Sequence, residues 1–183
     1  MDEEREPIPL NPSNEAFRQL TPYFGGMCCE AAAYCFSKNG HRIPTSTALT
    51  GCDPSRAAFE WTVPPAEADA TYRDRDVAAE NGAYALAIAL LHRLHGYRVI
   101  ERSAKGTGFD FWLGRASGGL PFNDRTRLEV SGIFSGTSRV SSRLKRKLAQ
   151  MAPSDNSGKG VAVVAEFGGP TVAVAAKEAS DGR

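Results

Sequence analysis

The stretch DVAAENGAYALAIALLHRLHG, residues 76–96, constrains this chain more than any other. Asp76 can cap a helix here and Gly96 can end it, and the residues between are apolar nearly all round. A helix without a polar face cannot lie on a surface; it has to be covered on more than one side. Gly82, in its first turns, costs about 1 kcal/mol relative to alanine, so it predicts a close backbone approach. Three strand patterns follow (YRVIERS, GFDFWLG, TRLEVSGI), then a basic amphipathic helix, SSRLKRKLAQM. GVAVVAEF and TVAVAAK, parted by the turn Gly168-Gly169-Pro170, add two more strands. Helix, three strands, helix, two strands predicts a mixed α/β sheet with helices on its faces. The first three strands are close enough for a meander, and the basic helix suits a right-handed crossover to a parallel partner.

Residues 1–12 read as a mobile tail, 13–75 as an N-terminal helical and hairpin subdomain, 76–176 as the core, and 177–183 as a second tail. In the N-terminal part, Ser13 or Asn14 can cap a short helix that Thr21-Pro22 stops. GMCCEAAAYCFSKNG is a second helix ending at Asn39-Gly40. TSTALTG and AAFEWTV flank the turn cluster CDPSR as a hairpin, and PPAEADATYRDRD is a polar connection with one helical turn.

The net charge of +1 gives no global attraction to nucleic acid or membranes, so a basic footprint has to be local. The longest apolar run, AYALAIALL, is about half the length of a membrane span. MDEEREPIPLNP is acidic where a signal peptide is basic and apolar, which makes a cytoplasmic protein the expectation. Cys28, Cys29 and Cys35, with His41 or Cys52, match no paired-cysteine zinc spacing; adjacent cysteines in an alanine-rich helix pack as small apolar groups. His92 and His95 sit where a helix ends, suited to its dipole and carbonyls.

Two acids stand out. By strand alternation Phe109, Phe111 and Leu113 share one face of their strand, with Asp110 and Trp112 on the other. In the next strand Arg127, Glu129 and Ser131 share a face, opposite Leu128 and Val130. Pairing these strands over one core projects Asp110 and Glu129 together, where they repel unless a cation or proton lies between them. Mg²⁺, or Mn²⁺, suits such oxygen donors. The competing reading is an ion pair with Arg127 or Arg102. Glu80, early in the apolar helix, is a third candidate, although an ordinary charge at a helix N-terminus explains it too. The basic helix carries Arg139, Arg143, Arg146, Lys147 and Gln150 at three- and four-residue spacing, a stripe fit for phosphates or a solvated face.

The order ENGAYALAIALL, GTGFDFWLG, RLEVSGI, SSRLKRKLAQM resembles the core of the restriction-endonuclease-like, or PD-(D/E)-x-K, nucleases, over about residues 76 to 176. The resemblance implies helix, three strands, helix, strand, with Glu80, Asp110 and Glu129 as catalytic acids and Asp110 and Glu129 as metal ligands. It implies a Mg²⁺-dependent nuclease acting on DNA, with a role in prokaryotic defence or DNA processing. Two departures mark this chain. No proline precedes Asp110, and Ser131 stands where the family has lysine. Lys105 is the first choice for the displaced cation, with Arg143 and Lys147 as phosphate contacts or substitutes. The alternative is a catalytically inactive nuclease-fold protein that binds nucleic acid or a partner protein, the latter through residues 13–75. A homo-oligomer fits either reading, and a purely structural domain would turn Asp110 and Glu129 away from each other.

Overall fold

The computed structural model describes residues 6–115 and 125–179. Its strands are β1 (Ile8–Pro9), β2 (Thr45–Thr50), β3 (Arg56–Glu60), β4 (Tyr97–Arg102), β5 (Phe111–Arg115), β6 (Thr126–Ile133), β7 (Gly160–Glu166) and β8 (Thr171–Lys177). Its α-helices are α1 (Pro22–Lys38), α2 (Ala68–Thr71), α3 (Arg75–His95) and α4 (Val140–Gln150). The strands form one mixed sheet in the order β1-β3-β2-β8-β7-β6-β5-β4. β4, β5 and β6 are the antiparallel meander, and α4 carries the chain from β6 to its parallel neighbour β7. β7 and β8 pair antiparallel around the glycine-proline turn.

α3 lies between α1 and the sheet, which is why its sequence has so little polar surface. Leu86, Ile88, Leu90 and Leu91 are all buried in one core with Leu128 and Val130 of β6 and Val161, Val163 and Ala165 of β7. Each such side chain contributes about 1.5–3 kcal/mol by leaving water. Gly82 makes the predicted close approach: a Cβ there would stand 2.9 Å from the backbone of Ala32 in α1. Asp74, two residues before the expected cap, starts α3 by accepting the N–H groups of Asp76 and Val77. At the other end Gly96 N–H reaches the His92 carbonyl, and the His92 ring bonds the Tyr97 carbonyl at 2.9 Å.

The N-terminal region is part of this fold, not a separate unit. β2 joins the sheet by pairing parallel with β8, and α1 supplies Cys28, Ala32, Cys35 and Phe36 to the same core. Burial pushes the Cys28, Cys29 and Cys35 thiols up to about 12, which makes them inert packing groups. α1 starts earlier than expected, because Thr21 caps it and Pro22 fills its first turn. The expected short helix before it is a single 3-10 turn, Glu15–Phe17, capped by Asn14. The expected first tail is also structured from residue 6. Ile8 and Leu10 are buried, and Arg93 of α3 donates to the carbonyls of Glu6 and Pro7. Glu15 pairs with Arg98 of β4, linking the N-terminal segment to the far edge strand. At the C-terminus Lys177 ends β8 and pairs with Asp155 at 3.0 Å. The remainder of both expected tails, 1–5 and 180–183, lies outside the described residues. Among the described residues no helix is long and apolar enough to cross a membrane.

Candidate functional site

Alternation along β6 builds the site. Leu128 and Val130 enter the main core, while Arg127, Glu129 and Ser131 point to the opposite face, beneath α4 and the 3-10 turn Ala152–Ser157. All three are almost wholly buried, and each meets its own partners. Arg127 donates to the carbonyls of Met151 and Gly158, to Ser154 Oγ and to Asp155 Oδ1. Glu129 Oε1 accepts from Lys147 Nζ at 2.5 Å and from Gln150 Nε2 at 3.0 Å. Ser131 Oγ accepts from Arg143 Nη1 at 2.9 Å. The spacing of Arg143, Lys147 and Gln150 therefore matches alternate residues of the strand below.

This arrangement changes the reading of the basic helix. Arg143 and Lys147 are half-buried over the sheet, whereas Arg146 and Gln150 are exposed, Gln150 reaching Glu129 from the end of the helix. Arg139 folds back onto the Ser135 carbonyl at 2.5 Å. Leu144 and Leu148 sit partly buried on the same sheet face.

Asp110 comes from just before β5. Its Oδ2 accepts the Val130 N–H at 2.8 Å, replacing the carbonyl that a longer β5 would have offered. Its Oδ1 accepts from the Tyr84 hydroxyl at 3.2 Å. Because the strand begins at Phe111, alternation does not extend back to Phe109. Phe111 and Leu113 enter the main core as expected, whereas Phe109 lies on the α4 side, its ring centroid 4.8 Å from that of Trp112. The turn before it passes through Gly108 at φ +81°, so close to α4 that a Cβ there would stand 2.3 Å from the Gln150 carbonyl oxygen.

Asp110 and Glu129 line one cleft of about 320 Å³, with Gln150 on its far wall. Glu80 of α3 does not line that cleft but lies within reach of the Asp110 charge. There Gly132 of β6 lets the helix press onto the strand: a Cβ on Gly132 would lie 1.9 Å from the Ala79 carbonyl oxygen. The three acids share one field. Burial, then the Asp110 charge, pushes Glu129 up to about 8 against the opposing pull of Lys147. Burial also raises Glu80, with Lys147 opposing and Asp110 adding to the shift. Lys105 lies on the rim of the cleft and is exposed; the cation in contact with Glu129 is Lys147.

The raised Glu129 has a consequence for stability. Its folded-state value stands above the ordinary 4.5, so its stabilisation is full below that pH and is lost as pH rises toward 8. In EDTA, the melting temperature of wild type should fall between pH 5 and 8, and Glu129→Gln should flatten that slope. Parallel slopes in the two proteins would count against the shift.

The donor set fits a hard divalent cation. It is all oxygen, it holds two carboxyls together at a cost in repulsion, and Lys147 and Gln150 both bond Glu129 at Oε1. Among the described residues no group of three or more His, Cys, Asp or Glu side chains is gathered as a cage, but Mg²⁺ is usually held by one or two carboxylates with water. Sequence reading missed Tyr84, which lies one turn beyond Glu80 on the same face of α3. The i, i+4 spacing of Glu80 and Tyr84 was the only available sign. The ion pairs of the competing reading are replaced by others: Arg127 pairs with Asp155, and the Arg102 guanidinium stands 5.4, 5.6 and 5.5 Å from the ring centres of Phe24, Tyr84 and Phe111. No protein-family model matches this chain, and no curated protein or solved structure matches it either.

Proposed function

We propose that this chain is a metal-dependent nuclease with a restriction-endonuclease-like core, cleaving DNA phosphodiester bonds. The observation that carries the reading is the cation-bearing helix over the acid-bearing strand. Lys147 meets Glu129 and Arg143 meets Ser131, so α4 supplies an ammonium beside the acids where Ser131 supplies none. Asp110 and Glu129 would hold Mg²⁺ or Mn²⁺, which when bound polarises a phosphodiester and acidifies water. Tyr84 and the Val130 N–H fix the Asp110 carboxylate, while Gln150 and Lys147 fix Glu129. Lys147 and Arg143 place positive charge where a phosphate gains negative charge. Glu80, its carboxyl raised by burial, is suited to hold a proton or position water near Asp110. A role in defence or DNA processing rests on fold analogy alone.

The test uses Asp110→Asn, which keeps an acceptor for the Val130 N–H, turns the amide N–H group toward the Tyr84 hydroxyl oxygen, and removes the charge. Calorimetric titration with Mg²⁺ or Mn²⁺ and nicking of a supercoiled plasmid are followed side by side. Loss of an outer-shell partner costs about 10–100-fold in such sites, so loss of a direct ligand should cost at least about 100-fold in both readouts. Unchanged nicking by Asp110→Asn would remove Asp110 from the site.

A second reading is supported by the same ion pair. Lys147 satisfies the buried Glu129 without any metal, as a non-catalytic protein that binds nucleic acid or a partner would need. Such a protein binds its target equally in Mg²⁺ and in EDTA and cleaves nothing.

A further inference from the structure

Strand register places Arg102 on the face of the sheet opposite to Lys147. Arg102 stands across from Phe111, and Phe111 across from Leu128, so all three point toward α3, whereas Glu129 points toward α4. The Arg102 guanidinium lies on a shelf of three rings, Phe24 of α1, Tyr84 of α3 and Phe111 of β5, within 5.6 Å of each centre. The residue is exposed at the end of the edge strand β4, and among the described residues it makes no ion pair. The rings hold a planar cation in place without neutralising it, so little side-chain freedom is left to lose when it meets an anion. The first turn of α1, which contains Phe24, carries no acidic residue that would compete.

Asp110 connects this cation to the carboxylate cleft. Its Oδ1 accepts from the hydroxyl of Tyr84, the ring beside Arg102, while its Oδ2 accepts the N–H of Val130, next in the chain to Glu129. Burial raises the Tyr84 hydroxyl, Asp110 and Glu80 add to the rise and Arg102 opposes it, so all three charges reach one oxygen. The acids therefore have cations on both sides: Lys147 and Arg143 from α4, and Arg102 from β4. One phosphate group is too small to meet cations on both faces of a sheet; consecutive phosphates of one strand are not. We propose that Arg102 binds the phosphate next to the one at Asp110, so that a polynucleotide strand crosses the start of β5 and is held from both faces. A substrate with a single phosphodiester leaves Arg102 unused. This rests on the nuclease reading for what happens at Asp110, but the grip on the strand is measurable without cleavage.

Binding of a labelled DNA duplex is followed by anisotropy in EDTA across a salt series, for wild type, Arg102→Met and Arg102→Lys. Methionine keeps an unbranched apolar chain against the rings and removes the charge, whereas lysine keeps the charge. Loss of one phosphate contact should weaken Arg102→Met binding by about tenfold at low salt and lower the slope of log K against log salt by about 0.9. Arg102→Lys should keep the wild-type slope and recover part of the affinity. With Mg²⁺, Arg102→Met should raise KM for plasmid nicking more than it lowers kcat. Its loss should be smaller on bis(p-nitrophenyl) phosphate, which has one phosphodiester. Wild-type affinity and slope in Arg102→Met overturn the proposal, and continued plasmid nicking then leaves the nuclease reading intact. A lysine variant that loses as much binding as methionine, with the same fall in melting temperature, makes Arg102 a structural support and also overturns it. So does a wild type that binds no duplex. A lowered slope in Arg102→Met with no nicking by wild type supports the Arg102 contact and overturns the nuclease reading.

Discussion

Arg127→Met should destabilise the protein by about 3–5 kcal/mol, the cost of leaving two or three buried acceptors unpaired at about 1–3 kcal/mol each. Arg127 has no exposed surface, and its guanidinium serves two carbonyls, a hydroxyl and Asp155 at once. Methionine fills much of the volume but leaves those acceptors unpaired. Against a typical total of about 5–15 kcal/mol, the loss is a large share. Arg127→Lys should not restore it, since a single ammonium cannot reproduce the planar fork. Urea denaturation with unchanged slope checks this, and a loss below about 1 kcal/mol would mean that water or neighbours replace the fork. The effect should also reach the site. Arg127 holds the Met151 carbonyl, immediately beyond the Gln150 that contacts Glu129, so it is a positioning residue for the end of α4.

The other large effect is expected at Lys147. If the nuclease reading holds, Lys147→Met should lower single-turnover cleavage by about 10²–10³, the usual cost of losing one preorganised charge stabiliser. Metal affinity should be kept or improved, because a competing cation has left Glu129. Lys105→Ala should change cleavage only slightly, since that side chain stands exposed on the rim. The split between binding and rate is the diagnostic readout. A variant that loses metal binding along with rate would make Lys147 a support for Glu129, and an equal loss in Lys105→Ala would restore Lys105 to the chemistry.

Much of the fold was legible because its patterns are local. The all-round apolarity of α3 predicted a helix covered twice, and the alternation in TRLEVSGI sorted Arg127, Glu129 and Ser131 from Leu128 and Val130 correctly. Alternation failed at Phe109, where Gly108 turns the chain before the strand has begun. Charge spacing on α4 was read as a stripe for solvent or phosphate. No periodicity tells whether a basic face looks outward or covers buried acids. The N-terminal segment looked separate because its partners, β8 and α3, lie far away in sequence. The setting of Arg102 was unreadable for the same reason, since its three rings come from α1, α3 and β5.

The parallel pairing of β6 with β7 has an implication for how such a site can diverge. Two parallel neighbours cannot be joined by a tight turn, so the chain has to travel back over the sheet, and α4 is that return path. The acids are fixed by strand register, where one insertion would turn every side chain over. The cations ride on a connection that can vary while every ladder stays intact. A cation that the strand does not carry at Ser131 is thus supplied by the helix directly above it, at Lys147, with no change of topology. The strand sequence alone is therefore a poor guide to which charges stand beside its acids.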